Sequence, residues 1–312
     1  MDVNRYFPSY GLKNQHLVKL CDYSTEEIFE ILYATKAMKA KFIAHEDTRI
    51  LRGVTIALLF GDTSMRTRSA LEIAIRQLGG DSVYLPYSEK DMRAGENIKD
   101  LVNVISRYGV GALVTRGIPQ KELDEFCSVS SIPIINSKNE SSVPAQILSD
   151  LFTIWEKRGK LEGLKIAYVG KVGANAQSLM VGAIKCGMEI AVAAPNEFTV
   201  KRDVLENIRQ YGHVTVTDNP VSAVKGADII YTNGYNYHSV LSETEKKILE
   251  PYCVNAQLMS VANVGAHFMH PLPACRGVEV TADVIDGKNS IVLDQGENKL
   301  HTIKAILALL AK

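Results

Sequence analysis

Short apolar segments alternate with helical patterns along this chain, and the alternation limits the folds available to it. In the first half, the strand-like runs VTIALLF and SVYLP are each followed by a segment of helical periodicity, and GALVTR and IPIIN come next. A second series of strand-like runs begins after the helical segment QILSDLFTIWEKRGKLEG, and it consists of KIAYVG, EIAVAAP, TVTD, DIIYTN, QLMSV and FMHPLP. Strands that alternate with helices form parallel sheets covered on both faces. The sequence therefore predicts an α/β protein of two lobes, each a mostly parallel sheet with helices on both faces.

Composition and charge exclude several classes of function. The 35 Lys and Arg residues balance the 35 Asp and Glu residues, so no net charge points to nucleic acid or to an anionic membrane. No apolar run reaches the length of a membrane helix, and the start MDVNRYFPSYGLK lacks the apolar core of a signal peptide. The five cysteines are scattered without a C-x-x-C pair, which predicts neither a zinc site nor a disulfide framework. We expect a cytoplasmic protein with reduced thiols.

The stretch FGDTSMRTRS, residues 60–69, indicates an anion site. Ser64, Arg66 and Thr67 open a helix directly after an apolar strand, where backbone N–H groups and the helix dipole favour a negative charge. Arg116 ends a later strand and would lie at the same edge of a parallel sheet. The alternative is a capped helix start with solvated arginines. Because two strand ends carry arginine, the sequence favours a phosphate site.

Five motifs in this order connect the chain to a known family: S-x-R-T-R, T-R-G, P-x-Q-I-L-x-D-L, H-P-L-P-A-x-R-G and D-Q-x-E-N-x-L-H. The sequence resembles the aspartate/ornithine carbamoyltransferases over essentially its whole length. The resemblance implies a carbamoyl-phosphate domain at residues 1–147, to which residues 290–312 return, and an amine-binding domain at residues 148–289. It also implies a homotrimer or a multiple of trimers, with the loop YSEKDMRAGEN reaching a neighbouring subunit. Carbamoyl phosphate and an amine would be the substrates, and neither a metal nor an organic cofactor is expected.

The same resemblance also predicts which residues bind carbamoyl phosphate. The candidates for binding carbamoyl phosphate are Ser64, Met65, Arg66, Thr67, Arg116, Gln146 and Leu272, the last through its carbonyl group. The catalytic candidates are Arg116, Thr67, Gln146 and Arg276. The Leu272–Pro273 bond is expected to be cis. An unprotonated amine would attack the carbamoyl carbon, and fixed donors would stabilise the tetrahedral oxyanion until phosphate leaves.

Several positions depart from the family pattern. Val143 stands where the family has the histidine of His-Pro-x-Gln, and the loss of one oxyanion donor typically costs about 10² to 10³ in rate. Met65 replaces a threonine but keeps its backbone donor. Asn233 stands where ornithine enzymes use an aspartate for the α-ammonium group, and a neutral amide forms no ion pair. The amine pocket is therefore predicted to differ from that of ornithine enzymes.

The residues expected in that pocket are Lys171, Asn175, Asn233, Tyr237 and His238. Lys171 stands where an acid is usual, and Lys90 and Arg93 add positive charge in the inter-subunit loop. One hypothesis is that the second substrate carries more negative charge, or fewer ammonium groups, than ornithine does. Solvated surface lysines are the other interpretation, and His238 is equally consistent with an exposed loop.

The expected function is carbamoyl transfer to an ornithine-like amino acid or a related amine, with aspartate a less favoured acceptor. A catalytically weak homologue that binds carbamoyl phosphate or another small anion as a sensor or partner protein is the alternative. A nucleotide-binding oxidoreductase is disfavoured, because YVGKVGAN has only G-x-x-G spacing and the next strand ends without a ribose-binding acid. His270 and His301 are expected to be structural.

Overall fold

The computed structural model of the chain describes residues 12–87, 97–235 and 241–311. The chain divides into two compact units, one up to Phe152 and again from Asn298 onward, the other Thr153–Glu297. The sequence placed the boundaries at residues 147 and 290, whereas the units of the structure change after residues 152 and 297. Both sheets are parallel and lie among helices, so the predicted α/β class is confirmed.

The first unit is built on a four-stranded parallel sheet of order β2-β1-β3-β4. Its strands are β1 Thr55–Phe60, β2 Asp81–Pro86, β3 Val110–Arg116 and β4 Ile134–Lys138. In the register, Phe60 is opposite Arg116 and Arg116 is opposite Lys138, so the carboxyl ends of β1, β3 and β4 meet at one edge. The two central strands are almost wholly buried, as expected for a sheet covered on both faces.

Five helices accompany this sheet in chain order: α1 Thr25–Ile43, α2 Met65–Gln77, α3 Ile98–Arg107, α4 Gln120–Val129 and α5 Pro144–Arg158. A 3₁₀ turn at Leu20–Asp22 precedes them. Helix α1 begins with a capping box, in which the Ser24 hydroxyl accepts from the Glu27 backbone N–H and the Glu27 carboxylate accepts from the Ser24 backbone N–H.

The second unit is built on a five-stranded parallel sheet of order β7-β6-β5-β8-β9. Its strands are β5 Lys165–Val169, β6 Glu189–Ala193, β7 Thr215–Thr217, β8 Ile229–Tyr231 and β9 His267–Met269. Its helices are α6 Ala174–Lys185, α7 Arg202–Arg209, α8 Pro220–Val224, α9 Glu243–Leu249, α10 Ala256–Met259, α11 Ala282–Ile285 and the start of α12 Val292–Leu310, with 3₁₀ turns at Asn196–Phe198 and Glu250–Tyr252.

One predicted strand is wrong. The run QLMSV, residues 257–261, begins within the short helix α10 instead of forming a strand. The preceding Asn255 is the physical reason, because its side chain accepts a hydrogen bond from the Leu258 backbone N–H at 2.9 Å and starts a helical turn. An apolar run this short does not distinguish a strand from a buried helical turn.

The last part of α12, from Asn298 onward, belongs to the first unit and contacts α1. Lys39 Nζ donates to Asn298 Oδ1 at 2.8 Å, and the Lys304 ammonium lies 4.7 Å from the centre of the Phe42 ring. The Phe42 and His301 rings pack at 5.1 Å. Among the helices that the structure describes, none is both long and apolar enough to cross a membrane.

Candidate functional site

In the first unit, two strand ends approach so closely that only glycine fits between them. The Gly61 N–H donates to the Arg116 carbonyl at 2.7 Å, and a Cβ on Gly61 would lie 2.7 Å from the Gly117 carbonyl oxygen. Gly117 also has φ +69, in the left-handed region. This crossing places the Asp62 carboxylate 2.5 Å from Arg116 Nε. Asp62 is not among the residues predicted from the sequence, although it lies within the FGDTSMRTRS stretch.

Helix α2 begins at this edge. Ser64 is its N-cap residue, and its hydroxyl accepts a hydrogen bond from the Thr67 backbone N–H at 3.4 Å. Met65 is 87% exposed and Arg66 is exposed as well. The first turn contains no acidic residue, so the helix itself provides no carboxylate to oppose its dipole. This is the geometry expected of an anion-binding helix start.

Thr67 joins three elements of the first unit. Its hydroxyl oxygen accepts hydrogen bonds from Arg116 Nη1 at 3.4 Å and from Lys299 Nζ at 3.2 Å. The structure thus brings Thr67 and Arg116 together, as the sequence predicted, and adds Lys299 from α12. Lys299 occupies the variable position of D-Q-x-E-N-x-L-H, and that motif was the only signal in the sequence that pointed to it.

Positive charge dominates this edge. Burial is the largest of the influences that lower the pKa of Lys299 to about 8, and the nearby cations Arg116, Arg66 and Lys138 add to it, whereas Asp150 opposes them. The pKa of Lys138 is lowered in the same way, first by burial and then by Arg116. A bound anion would stabilise the charged forms of these two lysines.

Gln146 lies in the first turns of α5 with its amide oriented by a buried carboxylate. Gln146 Nε2 donates to Asp150 Oδ1 at 2.9 Å, and Asp150 is fully buried. A carboxylate accepts hydrogen bonds, so the Gln146 NH₂ group faces Asp150. The Gln146 carbonyl oxygen is then available to accept a hydrogen bond from a ligand. Val143 directly precedes α5 and is 2% exposed.

In the second unit, the amine-pocket candidates follow two neighbouring strand ends. Thr232 Oγ1 donates to the Val169 carbonyl at 2.6 Å, which ties the end of β8 to that of β5. Asn175 Nδ2 in turn donates to the Tyr231 hydroxyl at 3.3 Å. The structure therefore brings Asn175 and the segment of Asn233 to the same edge of this sheet.

The Asn233 side chain offers an acceptor. Its Oδ1 is buried and accepts no hydrogen bond from the part of the chain that the structure describes. The segment is anchored by Tyr235, whose buried ring packs against Gly170, where φ is +115 and a Cβ would collide with the ring. Two further candidates, Tyr237 and His238, lie outside the described residues, as do Lys90 and Arg93.

Lys171 is partly neutralised within its own unit. Its ammonium lies 3.8 Å from Glu245 Oε1 and 4.7 Å from the centre of the Phe198 ring. A lysine held by a carboxylate adds less positive charge than the sequence suggested. The hypothesis of a more anionic second substrate therefore receives little support from Lys171.

The segment after β9 carries the remaining candidates. The Leu272–Pro273 bond is cis, as predicted, and the Leu272 N–H donates to His270 Nδ1 at 2.9 Å. His270 is fully buried with its Nε2 3.3 Å from Glu279 Oε1, which fits the expected structural role. Arg276 forms two exposed hydrogen bonds with Asp286, at 2.8 and 2.6 Å, and its catalytic role stays a prediction.

Comparisons with known proteins cover both units. The carbamoyl-P binding domain model of aspartate/ornithine carbamoyltransferase matches residues 15–156, and the Asp/Orn binding domain model matches residues 162–310. The ornithine carbamoyltransferase of Pyrococcus abyssi is 40% identical over 307 residues, which are 96% of each chain. That of Caldicellulosiruptor saccharolyticus is 39% identical over 300 residues, 94% of this chain and 97% of the other.

Solved structures agree with the sequence relatives. The ornithine carbamoyltransferase of Pyrococcus furiosus superposes with a TM-score of 0.90 at 39% identity, covering 95% of this chain and 96% of that one. The enzyme of Burkholderia thailandensis gives a TM-score of 0.88 at 33% identity, covering 96% and 99%. The similarity therefore extends over nearly the whole fold.

Proposed function

The chain belongs to the aspartate/ornithine carbamoyltransferase family, and we propose that ornithine or a closely related amino acid is its acceptor. It is a transferase that moves the carbamoyl group of carbamoyl phosphate to an amino group and releases phosphate. The observation that supports carbamoyl phosphate as the donor is the convergence of Arg116 and Lys299 on Thr67 at the start of α2.

The phosphate group would bind at the N-terminus of α2. Ser64, Arg66 and the backbone N–H of Met65 provide donors there, with Arg116 and Lys299 alongside. Charge-assisted hydrogen bonds of this kind are roughly twice as strong as neutral ones. A dianion would also relieve the mutual repulsion of these cations, and the same contacts would stabilise phosphate as the leaving group.

The carbamoyl group would be oriented by its two polar ends. The Gln146 carbonyl oxygen accepts from the carbamoyl NH₂, because the amide nitrogen of Gln146 is committed to Asp150. Thr67 and Arg116 donate to the carbamoyl oxygen, on which negative charge develops as the amine attacks. Donors fixed before the reaction stabilise this oxyanion without reorganisation, and the electrostatic term is usually the largest in such catalysis.

The acceptor would be held in part by Asn233. Its Oδ1, which accepts no hydrogen bond from the described residues, would accept one from an ammonium or amide N–H of the incoming amino acid. Leaving such a buried acceptor unsatisfied costs about 1–3 kcal/mol. Asn175 and Lys171 would border the same pocket. Because Asn233 carries no charge, we expect weaker binding of free ornithine than an aspartate would give.

A catalytically weak homologue that only binds carbamoyl phosphate is the second candidate. The observation that favours it is the buried Val143, which provides no donor to an oxyanion. The cationic side chains at the start of α2 would bind carbamoyl phosphate in either case. Detection of a transfer product therefore distinguishes the two functions.

We further propose a cytoplasmic homotrimer or a multiple of trimers. The family resemblance supports the trimer, and it implies that a neighbouring subunit contributes the loop of residues 87–97. All five cysteines lie in the described part of the chain as free thiols, which fits a reducing compartment. Sedimentation equilibrium would test the assembly, since a particle of one or two chain masses would refute it.

The test of transfer is mass-spectrometric detection of ureido products. The protein is incubated with carbamoyl phosphate and a panel of ornithine, α-N-acetylornithine, succinylornithine, putrescine, lysine and aspartate, and a protein-free sample is the control. We expect a higher amount of carbamoylated ornithine, or of a close analogue, than in the control. Arg66→Ala should lose that product. If no product forms while carbamoyl phosphate still raises the thermal midpoint, the binding-protein function replaces the transferase.

A further inference from the structure

A β-bulge at the end of β4 determines the direction of the Lys138 side chain. Thr115 of β3 is opposite Asn136 of β4. The next pair is Arg116 with Lys138, so Ser137 is an extra residue in β4. Side chains alternate between the two faces of a strand, and without the extra residue Lys138 would point away from the face of Arg116. With the bulge, Lys138 extends on the same face of the sheet as Arg116.

The backbone is held on both sides of Lys138. The Gly117 N–H donates to the Lys138 carbonyl at 2.7 Å. The next residue, Asn139, is 2% exposed, and its Oδ1 accepts from the Ser142 backbone N–H at 2.7 Å while its Nδ2 donates to Gln120 Oε1 at 2.9 Å. The turn between β4 and α5 is therefore fixed within the first unit, which limits the positions that the Lys138 ammonium can reach.

The charges around Lys138 leave an excess of positive charge. Burial lowers the pKa of Lys138 most and Arg116 lowers it further, whereas Asp62 opposes them. Lys138 in turn lowers the pKa of Lys299. These two lysines and the charged groups that act on them are four cations and two carboxylates: Arg66, Arg116, Lys138, Lys299, Asp62 and Asp150. A phosphate dianion would balance this excess, and Lys138 provides one of the charges.

Lys138 lies on the carbamoyl side of this edge. The sheet order is β2-β1-β3-β4, so β3 separates the end of β4 from the start of α2, which follows β1. Helix α5, which carries Gln146, begins shortly after Lys138. In the proposed function the phosphate binds at the start of α2 and the carbamoyl NH₂ binds Gln146. Lys138 is therefore closer in the fold to the carbamoyl end, where the buried Val143 provides no donor.

We propose that Lys138 is a further catalytic residue, whose ammonium donates a hydrogen bond to the carbamoyl oxygen of carbamoyl phosphate and to the oxyanion that forms there. The inference rests on the proposed function and adds to it a residue at the end of β4. When the amine nitrogen bonds to the carbamoyl carbon, one electron pair of the C=O bond moves to oxygen. When that pair returns, the C–O bond to phosphate breaks, and phosphate leaves with the bonding electrons and the amine proton. Lys138 keeps its own proton throughout.

Turnover of Lys138→Met is the first test, because methionine keeps the aliphatic stem and removes the charge. A donor to the oxyanion acts mainly in the transition state, so kcat should fall about 10²-fold or more while KM for the amine changes less than about threefold. Lys138→Arg retains a cation and should keep at least about tenfold more turnover than Lys138→Met. Lys121→Met, at an exposed position of α4, is the control for the loss of one charge from this unit and should leave kcat unchanged.

A kcat of Lys138→Met within about threefold of the wild type would overturn the inference. Lys138→Gln, a second neutral variant, gives the same comparison if Lys138→Met lowers the thermal midpoint.

Titration calorimetry at pH 7 and about 0.15 M salt distinguishes a contact with the carbamoyl group from one with phosphate. Lys138→Met should weaken phosphonoacetamide, a hydrolysis-resistant analogue that contains the carboxamide, about tenfold or more. Inorganic phosphate should be weakened less than about threefold. Equal weakening of both would make Lys138 a phosphate ligand and overturn the inference. Because binding needs no turnover, absence of every ureido product would remove the proposed function while these titrations still decide the contact.

The Val143→His substitution tests whether the two positions serve the same oxygen. A histidine there would add a donor, and that donor should help more when Lys138 is missing. We expect Val143→His to raise kcat at least about fivefold more in the Lys138→Met background than in the wild type. A gain of the same size in both backgrounds would mean that Lys138 acts on another part of the ligand, and the inference would be wrong.

Discussion

Replacement of Arg116 by methionine should separate the stability of the first unit from its catalysis. Arg116 and Asp62 are 12% and 32% exposed, and their charged atoms lie 2.5 Å apart. Removing one member of a fully buried pair costs about 3–5 kcal/mol. Since a third of Asp62 remains in water, we expect a loss of about 1–3 kcal/mol for Arg116→Met.

Turnover should fall further than stability. Arg116 also contacts Thr67 and is the proposed donor to the developing oxyanion. Loss of one such donor lowers kcat by about 10² to 10³. Adding Asp62→Asn removes the uncompensated carboxylate, so the double variant should regain about 1–2 kcal/mol of stability and none of the turnover.

Hydrogen exchange read by mass spectrometry at β1 and β3 is the appropriate stability assay. The single tryptophan, Trp155, belongs to the second unit, so peptides of β1 and β3 report more directly on the first. Arg49→Met is the control, because Arg49 and Asp47 form an exposed pair that contributes little to stability. Turnover of Arg116→Met within threefold of the wild type would refute the catalytic assignment. A double variant no more protected than Arg116→Met would refute the charge argument.

Three further substitutions probe the rest of the site. Arg66→Ala should weaken carbamoyl phosphate about 10- to 100-fold in titration calorimetry, with less than about 0.5 kcal/mol lost in urea unfolding, because this side chain is exposed. Val143→His should raise kcat about tenfold or more by adding an oxyanion donor, at about 1–3 kcal/mol of stability for overpacking a buried position; unchanged kcat would mean that the site is packed around valine. Asn233→Asp should lower KM for ornithine about tenfold in steady-state assays and leave that for α-N-acetylornithine unchanged; equal effects on both would exclude a contact with the α-nitrogen.

The sequence was sufficient for the parts of the site that follow strands. Ser64, Arg66 and Arg116 were selected because parallel strands end at one edge, and the register of β1 with β3 places them there. Asn175 and Asn233 in the second unit were selected through the resemblance to the family. The phosphate-site predictions of the first unit needed only local patterns and the direction of the strands.

The position of a residue at a strand end does not predict its contacts with residues far away in the sequence. Lys299 lies 232 residues after Thr67, and only the packing of α12 in the first unit brings them together. Asp62 was visible as a residue, but its pairing with Arg116 depends on the two glycines at the strand crossing. The pairing of Arg276 with Asp286 likewise arises from the folding of the segment after β9.

The two units differ in the charge of the side chains that they provide for the reaction. The first unit gathers Arg66, Arg116 and Lys299 around one helix start, which suits a dianionic donor whose phosphate must also be stabilised as it leaves. At the edge of the second sheet, Asn233 is neutral and Lys171 is held by Glu245. A neutral acceptor atom favours an ammonium over an amide N–H less strongly than a carboxylate does, because it forms no ion pair with the ammonium. The acceptor should therefore be selected by shape and hydrogen bonding more than by charge, and α-acylated ornithine is the comparison that distinguishes these modes of recognition.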